Sequence, residues 1–170
     1  MGDRRRLLVL GCFLLGAVSF VLPGPATAQP ADMVLVKKVV VPANAGWVDT
    51  GLDVLPGEAF YFMAAGEISL QRNNPSANCG PAGLDLVTVQ QPIADQNLGA
   101  LVGKVAQLIG ARVDEDTGAE IRDEVATFFY IGPEIGLDVP AKGRLYLGVN
   151  ENVLKDNSGE FTVQVFRRKD

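Results

Sequence analysis

Apolar and polar side chains alternate strictly in two runs near the C-terminus of the sequence. Leu145, Leu147 and Val149 share one face of the first run, and Phe161, Val163 and Val165 share one face of the second. A period of two marks an antiparallel strand with one face buried and the other in water. The two runs read as a hairpin joined by residues 150–159, NENVLKDNSG, in which six of ten side chains carry oxygen. Such a loop serves either as a tight polar connection or as a cage for a hard cation such as Ca²⁺. In the first case its Asn, Asp and Ser side chains cap backbone groups. In the second they join carbonyls around the ion.

Upstream the same alternation recurs. Residues 34–41 are β-branched and strand-like, and Lys37 and Lys38 mark an edge position. Residues 42–46 turn the chain, and 47–52 are extended again. Pro56-Gly57 has the residue types of a type II turn, and 58–70, EAFYFMAAGEISL, reads as a long apolar strand. Its small residues Ala64, Ala65 and Gly66 point to a bulge or a close approach. Residues 71–97 form a long irregular excursion of the kind that is usually functional or disordered. Residues 98–109 are β-like. The acidic stretch 110–125 combines a solvated tip, Asp114-Glu115-Asp116, with a short helix over 119–125 that is too short to stand alone. Residues 127–131 form an aromatic strand, and 132–139 lead into Pro140. About eight short antiparallel strands punctuated by Gly and Pro predict an all-β chain, a jelly-roll β-sandwich.

The first 28 residues change the picture of where this sandwich works. Arg4, Arg5 and Arg6 precede a 16-residue apolar stretch over 7–22, Pro23 and Pro25 break it, and Ala26-Thr27-Ala28 offers a small-x-small cleavage site. That is the pattern of a secretory signal peptide, and 16 residues is short for a spanning helix. The expectation is a secreted or periplasmic protein, with no membrane insertion after cleavage and a single domain over 29–170. Without Asp3 and the three arginines, 12 basic and 19 acidic side chains remain, a net charge of −7. An acidic domain is a poor partner for nucleic acid or anionic membranes.

The chain contains no histidine, so Ser-His-Asp and Cys-His catalysis and His-containing zinc sites are absent. No nucleophile–base pair is readable, and the expectation is that the protein is not an enzyme. Cys79 stands alone in the mature region. It is either a small residue before the Gly80-Pro81 turn or a thiol available for an intermolecular bridge. Trp47 and Tyr130 serve either as packing residues or as platforms on which a sugar ring stacks.

Several segments taken together resemble the PA-IL-like galactophilic lectin family. They are PANAGWVDTG at 42–51, AAG at 64–66, GPAG at 80–83, GALVGKV at 99–105, FYIG at 129–132, GVNE at 148–151 and DNSGEF at 156–161. They run in family order and cover most of the mature domain. The resemblance implies a galactose-binding-like jelly roll in which one Ca²⁺ sits at a loop corner and sugar hydroxyls complete its shell. It places the metal ligands on Glu151 or the amide of Asn150, on Asp156 and Asn157, and on backbone carbonyls near Leu70 and Leu154. It places the sugar-contacting region near Gln91, Asp95 and Gln96. This sequence departs from the family pattern in three ways. The spacing from the acid to the amide pair is about two residues shorter, the His-Pro segment that touches sugar has no His, and residues 107–127 form an acidic insertion. The implied function is a Ca²⁺-dependent carbohydrate-binding module of unstated sugar specificity. The alternative is a structural or protein-interaction sandwich that has lost the metal and sugar site.

Overall fold

The alternation becomes two facing antiparallel sheets. The computed structural model describes residues 31–89 and 91–169. The strands are β1 (Met33–Pro42), β2 (Val48–Val54), β3 (Ala59–Ser69), β4 (Asn78–Cys79), β5 (Leu101–Val113), β6 (Glu120–Tyr130), β7 (Glu134–Asp138), β8 (Gly143–Val149) and β9 (Ser158–Arg168). One sheet has the order β1-β9-β3-β4, with β7 also on β3, and the other has the order β2-β8-β5-β6. Residues 1–28, where a signal peptide is expected, lie outside the described residues. Among the described residues no helix is long and apolar enough to cross a membrane.

The alternating residues meet between the sheets. Phe60, Phe62 and Ile68 of β3 and Phe161, Val163 and Val165 of β9 face Leu101 and Val105 of β5 and Leu145, Leu147 and Val149 of β8. Nearly all of these side chains are buried completely. At about 25 cal/mol per Å² of apolar surface removed from water, this layer dominates the folding energy. Lys37 and Lys38 lie on β1, which among the described residues pairs only with β9, so the expected edge position holds.

Three readings of the sequence change. The runs 145–149 and 161–165 are not a hairpin, because β8 and β9 belong to different sheets and residues 150–157 cross from one to the other. Alternation requires a buried face but does not say whether the neighbour lies beside the strand or across the core. The stretch 119–125 is not helical: from Glu120 onward it pairs as β6 with residues 107–113 of β5. A helix this short leaves most of its backbone groups without an intrahelical partner, whereas pairing with β5 gives residues 120–125 a continuous ladder along one side. Residues 134–138 form the additional strand β7, paired with residues 59–63. The acidic tip is an exposed turn of the β5–β6 ribbon, where Asp114 Oδ1 accepts hydrogen bonds from the backbone of Asp116 and Thr117.

Cys79 is buried on β4. Burial, and then the nearby Glu67 charge, push its thiol up to about 11. The thiolate is the reactive form, so native protein at pH 8 is expected to react with a thiol reagent far more slowly than urea-unfolded protein. Equal labelling rates would contradict this placement.

Candidate functional site

Four loops converge at one end of the sandwich, and backbone hydrogen bonds join them. The Arg72 N–H donates to Asp156 O at 2.9 Å, and the Ala43 N–H to Gly159 O at 3.0 Å. Through these bonds residues 70–72 are tied to the crossover 150–157 and residues 42–47 to the start of β9. The loop 91–97 joins them through Asn150, which is fully buried. Asn150 Oδ1 accepts from the Ile93 N–H at 2.8 Å, and its Nδ2 donates to the carbonyls of Ile93 and Asn97 at 3.0 and 3.1 Å. A further contact of Nδ2 with Gln96 O is longer, at 3.4 Å. One amide thus organises a loop that has no regular structure of its own.

Between these loops lies a cleft of about 150 Å³, lined by Trp47, Pro92, Glu151, Asn152 and Leu154 over the strand residues Gly148 and Val149. It is smaller than the range of about 300–1,000 Å³ common for drug-sized ligands, so it suits one ring rather than a larger molecule. Trp47 is half-buried and lies against Gly148, where an added Cβ would come within 2.9 Å of the indole. A glycine at 148 therefore lets the ring lie on the sheet and form one wall. On another wall, Glu151 is fixed by its own loop, since Oε1 accepts the N–H groups of Asn152 and Val153, both at 2.8 Å.

The residues expected to hold a metal divide between roles. Leu70 is buried and its N–H is bonded to Ala77 O. Leu154 lies at the cleft, and its carbonyl accepts from the Asn157 N–H at 3.3 Å. Asp156 is exposed, and its carbonyl receives Arg72. Asn157 is fully buried: Nδ2 donates to Ala43 O at 3.1 Å, while Oδ1 is enclosed and has no hydrogen-bond partner among the described residues. For Asn150 the expectation is corrected. Its amide is consumed by the 93–97 carbonyls and the Ile93 N–H, and it acts as a clamp rather than a ligand. Among the described residues no three Asp, Glu, His or Cys side chains gather as a metal cluster. Any ion held here would be bound mainly by amide and carbonyl oxygens.

The expected sugar contacts also shift. Gln91 is buried, and its Nε2 donates to the carbonyls of Ile93 at 3.0 Å and of Gln96. Its side chain therefore shapes the loop from behind and does not face the cleft, which is a second correction. Its neighbour Pro92 is the wall residue instead. Asp95 is exposed on the same loop, and Gln96 is half-buried with its carbonyl bound to Gln91. Such buried side-chain amides are not recognisable as clamps from sequence, because exposed ligands carry the same groups.

No protein-family model matches this sequence, and no curated protein matches it either. Among solved structures the chain is similar to the N-terminal domain of EclA, a PllA-like lectin. The identity is 23%, the match covers 79% of this chain and 98% of that one, and the TM-score is 0.53. The likeness is one of fold: two antiparallel sheets arranged as in that lectin domain.

Proposed function

We propose that this chain is an exported, carbohydrate-binding domain that takes a sugar ring in the cleft between Trp47, Pro92 and Glu151. The observation that carries this reading is the pairing of an indole wall with a fixed carboxylate in a ring-sized cleft. A sugar has an apolar C–H face suited to the indole and hydroxyls suited to the carboxylate. The fold shared with a lectin domain supports it, as do the acidic charge and the signal-like first 28 residues. With no histidine in the chain and no nucleophile–base pair, binding rather than catalysis is the activity proposed.

Ca²⁺ belongs to the same proposal. The buried Oδ1 of Asn157 lacks a hydrogen-bond donor among the described residues, and an orphaned buried oxygen needs an explanation. A bare Ca²⁺ sits about 2.3–2.6 Å from its oxygen ligands, closer than a hydrogen-bonded water, and accepts amide and backbone carbonyl oxygens readily. The residues that would hold it are Asn157, Glu151 and Asp156, with the carbonyls of Leu70 and Leu154. When bound, the ion would supply positive charge toward which sugar hydroxyls turn their oxygens.

Thermal melts with and without calcium chloride, followed by a glycan array, test both parts. Ca²⁺ at 100 times its Kd is expected to stabilise the protein by about 2.7 kcal/mol. Glu151→Gln combined with Asp156→Asn is expected to remove that gain. A gain left intact in the double variant would reject this loop as the metal site. An array on which no glycan binds would leave the alternative, a sandwich kept for a structural or protein-binding role.

A further inference from the structure

Trp47 belongs to two surfaces at once. It lines the cleft, and it also meets Phe128 of β6, with ring centroids 5.5 Å apart and planes inclined at 46°. Phe128 is 42% exposed, whereas Phe60, Phe62 and Phe161 of the core are essentially inaccessible. The register explains its position. Phe128 lies opposite Lys104, and Lys104 lies opposite Tyr146, so the three stand side by side across β6, β5 and β8 on the outer face of the second sheet. Lys104 is 7% exposed. Its Nζ sits 4.9 Å from the Tyr146 ring centroid, 5.3 Å from that of Trp47 and 2.6 Å from Glu124 Oε1. The ammonium is held by the carboxylate and by the faces of two rings, and this fixes the aromatic strip in place.

We infer that Phe128 forms a second sugar subsite beyond the Trp47 cleft, so that the protein takes a glycan of two or more rings that turns between them. The inference rests on the carbohydrate reading above. Phe128 adjoins the cleft through its contact with Trp47, and its exposed ring offers a second stacking surface. Two rings at 46° do not form one flat platform. They fit successive sugars whose faces rotate along the chain, and they do not fit a flat polysaccharide ribbon. The acidic charge of the chain disfavours nucleic-acid bases, the other common stacking partners.

Trp47 is the single tryptophan, so its fluorescence reads the site directly. The probes are D-galactose, D-mannose, D-glucose and L-fucose, each compared with α- and β-linked trisaccharides that it terminates, in calcium chloride. At least one trisaccharide is expected to bind about two- to tenfold more tightly than its terminal monosaccharide, the range of a single aromatic contact. Phe128→Ala is expected to remove that ratio. Phe128→Leu, which keeps apolar bulk without a flat ring, is expected to do the same, and this separates lost stacking from lost fold. The same ratio in all three proteins, or tight binding of monosaccharides with no trisaccharide advantage, overturns the subsite. A dimer that becomes monomeric in Phe128→Ala with the ratio intact also overturns it, by assigning the strip to a second copy. Failure of every probe against the unsubstituted protein overturns the carbohydrate reading itself.

Discussion

Asn150→Asp is expected to lower the melting temperature by roughly 10 °C, from a loss of about 3–5 kcal/mol. The side chain is fully buried, and its Nδ2 donates to the carbonyls of residues 93 and 97. An aspartate keeps the bond from the Ile93 N–H but turns a charged oxygen toward those carbonyls, with no water to compensate. Leaving a buried charge unpaired is among the costliest single changes. Asn150→Ala removes the charge from this comparison and leaves the carbonyls unsatisfied, at about 1–3 kcal/mol for each buried group orphaned. In both variants residues 91–97 lose their anchor, and Pro92 no longer forms a wall of the cleft. Calorimetry with hydrogen exchange of the 91–97 amides tests this. A ligand role predicts the reverse, because a carboxylate would bind Ca²⁺ more tightly than an amide. A melting temperature that rises in Asn150→Asp with calcium would therefore overturn the clamp.

Gly159→Ala is expected to cost about 3 kcal/mol or more, for a different reason. Gly159 has φ +82°, and a Cβ placed there would lie 2.4 Å from Glu67 O and 3.0 Å from Ile68 Cα. On the facing strand, a Cβ on Gly66 would meet Glu160 O at 2.4 Å. Here β3 and β9 approach through their glycines, next to the Asn157 that closes the site. Gly57 is the control: its φ is +81°, but nothing lies within 4 Å of an added Cβ. Gly57→Ala therefore carries the backbone strain alone, about 1 kcal/mol. Urea unfolding of the two variants isolates the cost of the close approach, and equal midpoints would rule it out.

The strands were legible because burial leaves a period of two in the residues themselves. Phe161, Val163 and Val165 announce a buried face wherever their partner lies. AAG at 64–66 announced a close approach, which Gly66 provides. The site was legible only in outline. The loops at 42–47, 70–72, 91–97 and 150–157 do gather at one end, yet Asn150 and Gln91 serve as internal clamps. Pro92 and Trp47 form the walls. An amide that binds a ligand and one that binds its own backbone have the same composition, and only the position of its acceptors separates them. The aromatic strip around Lys104 was invisible in the same way, since its members come from three different strands and the loop before β2.

By itself, the sequence determined that this is an all-β chain with one face of each strand buried, carrying a signal-like start and no histidine chemistry. Those properties are local: alternation, side-chain type and turn residues act within a few positions. The tertiary structure alone decided that β8 and β9 face each other across the core instead of pairing. It also decided that 119–125 is a strand and that Trp47 stands between a cleft and Phe128. Each of these depends on contacts between residues far apart in the chain, and short-range pattern carries no information about which distant partner satisfies a buried face or a backbone group.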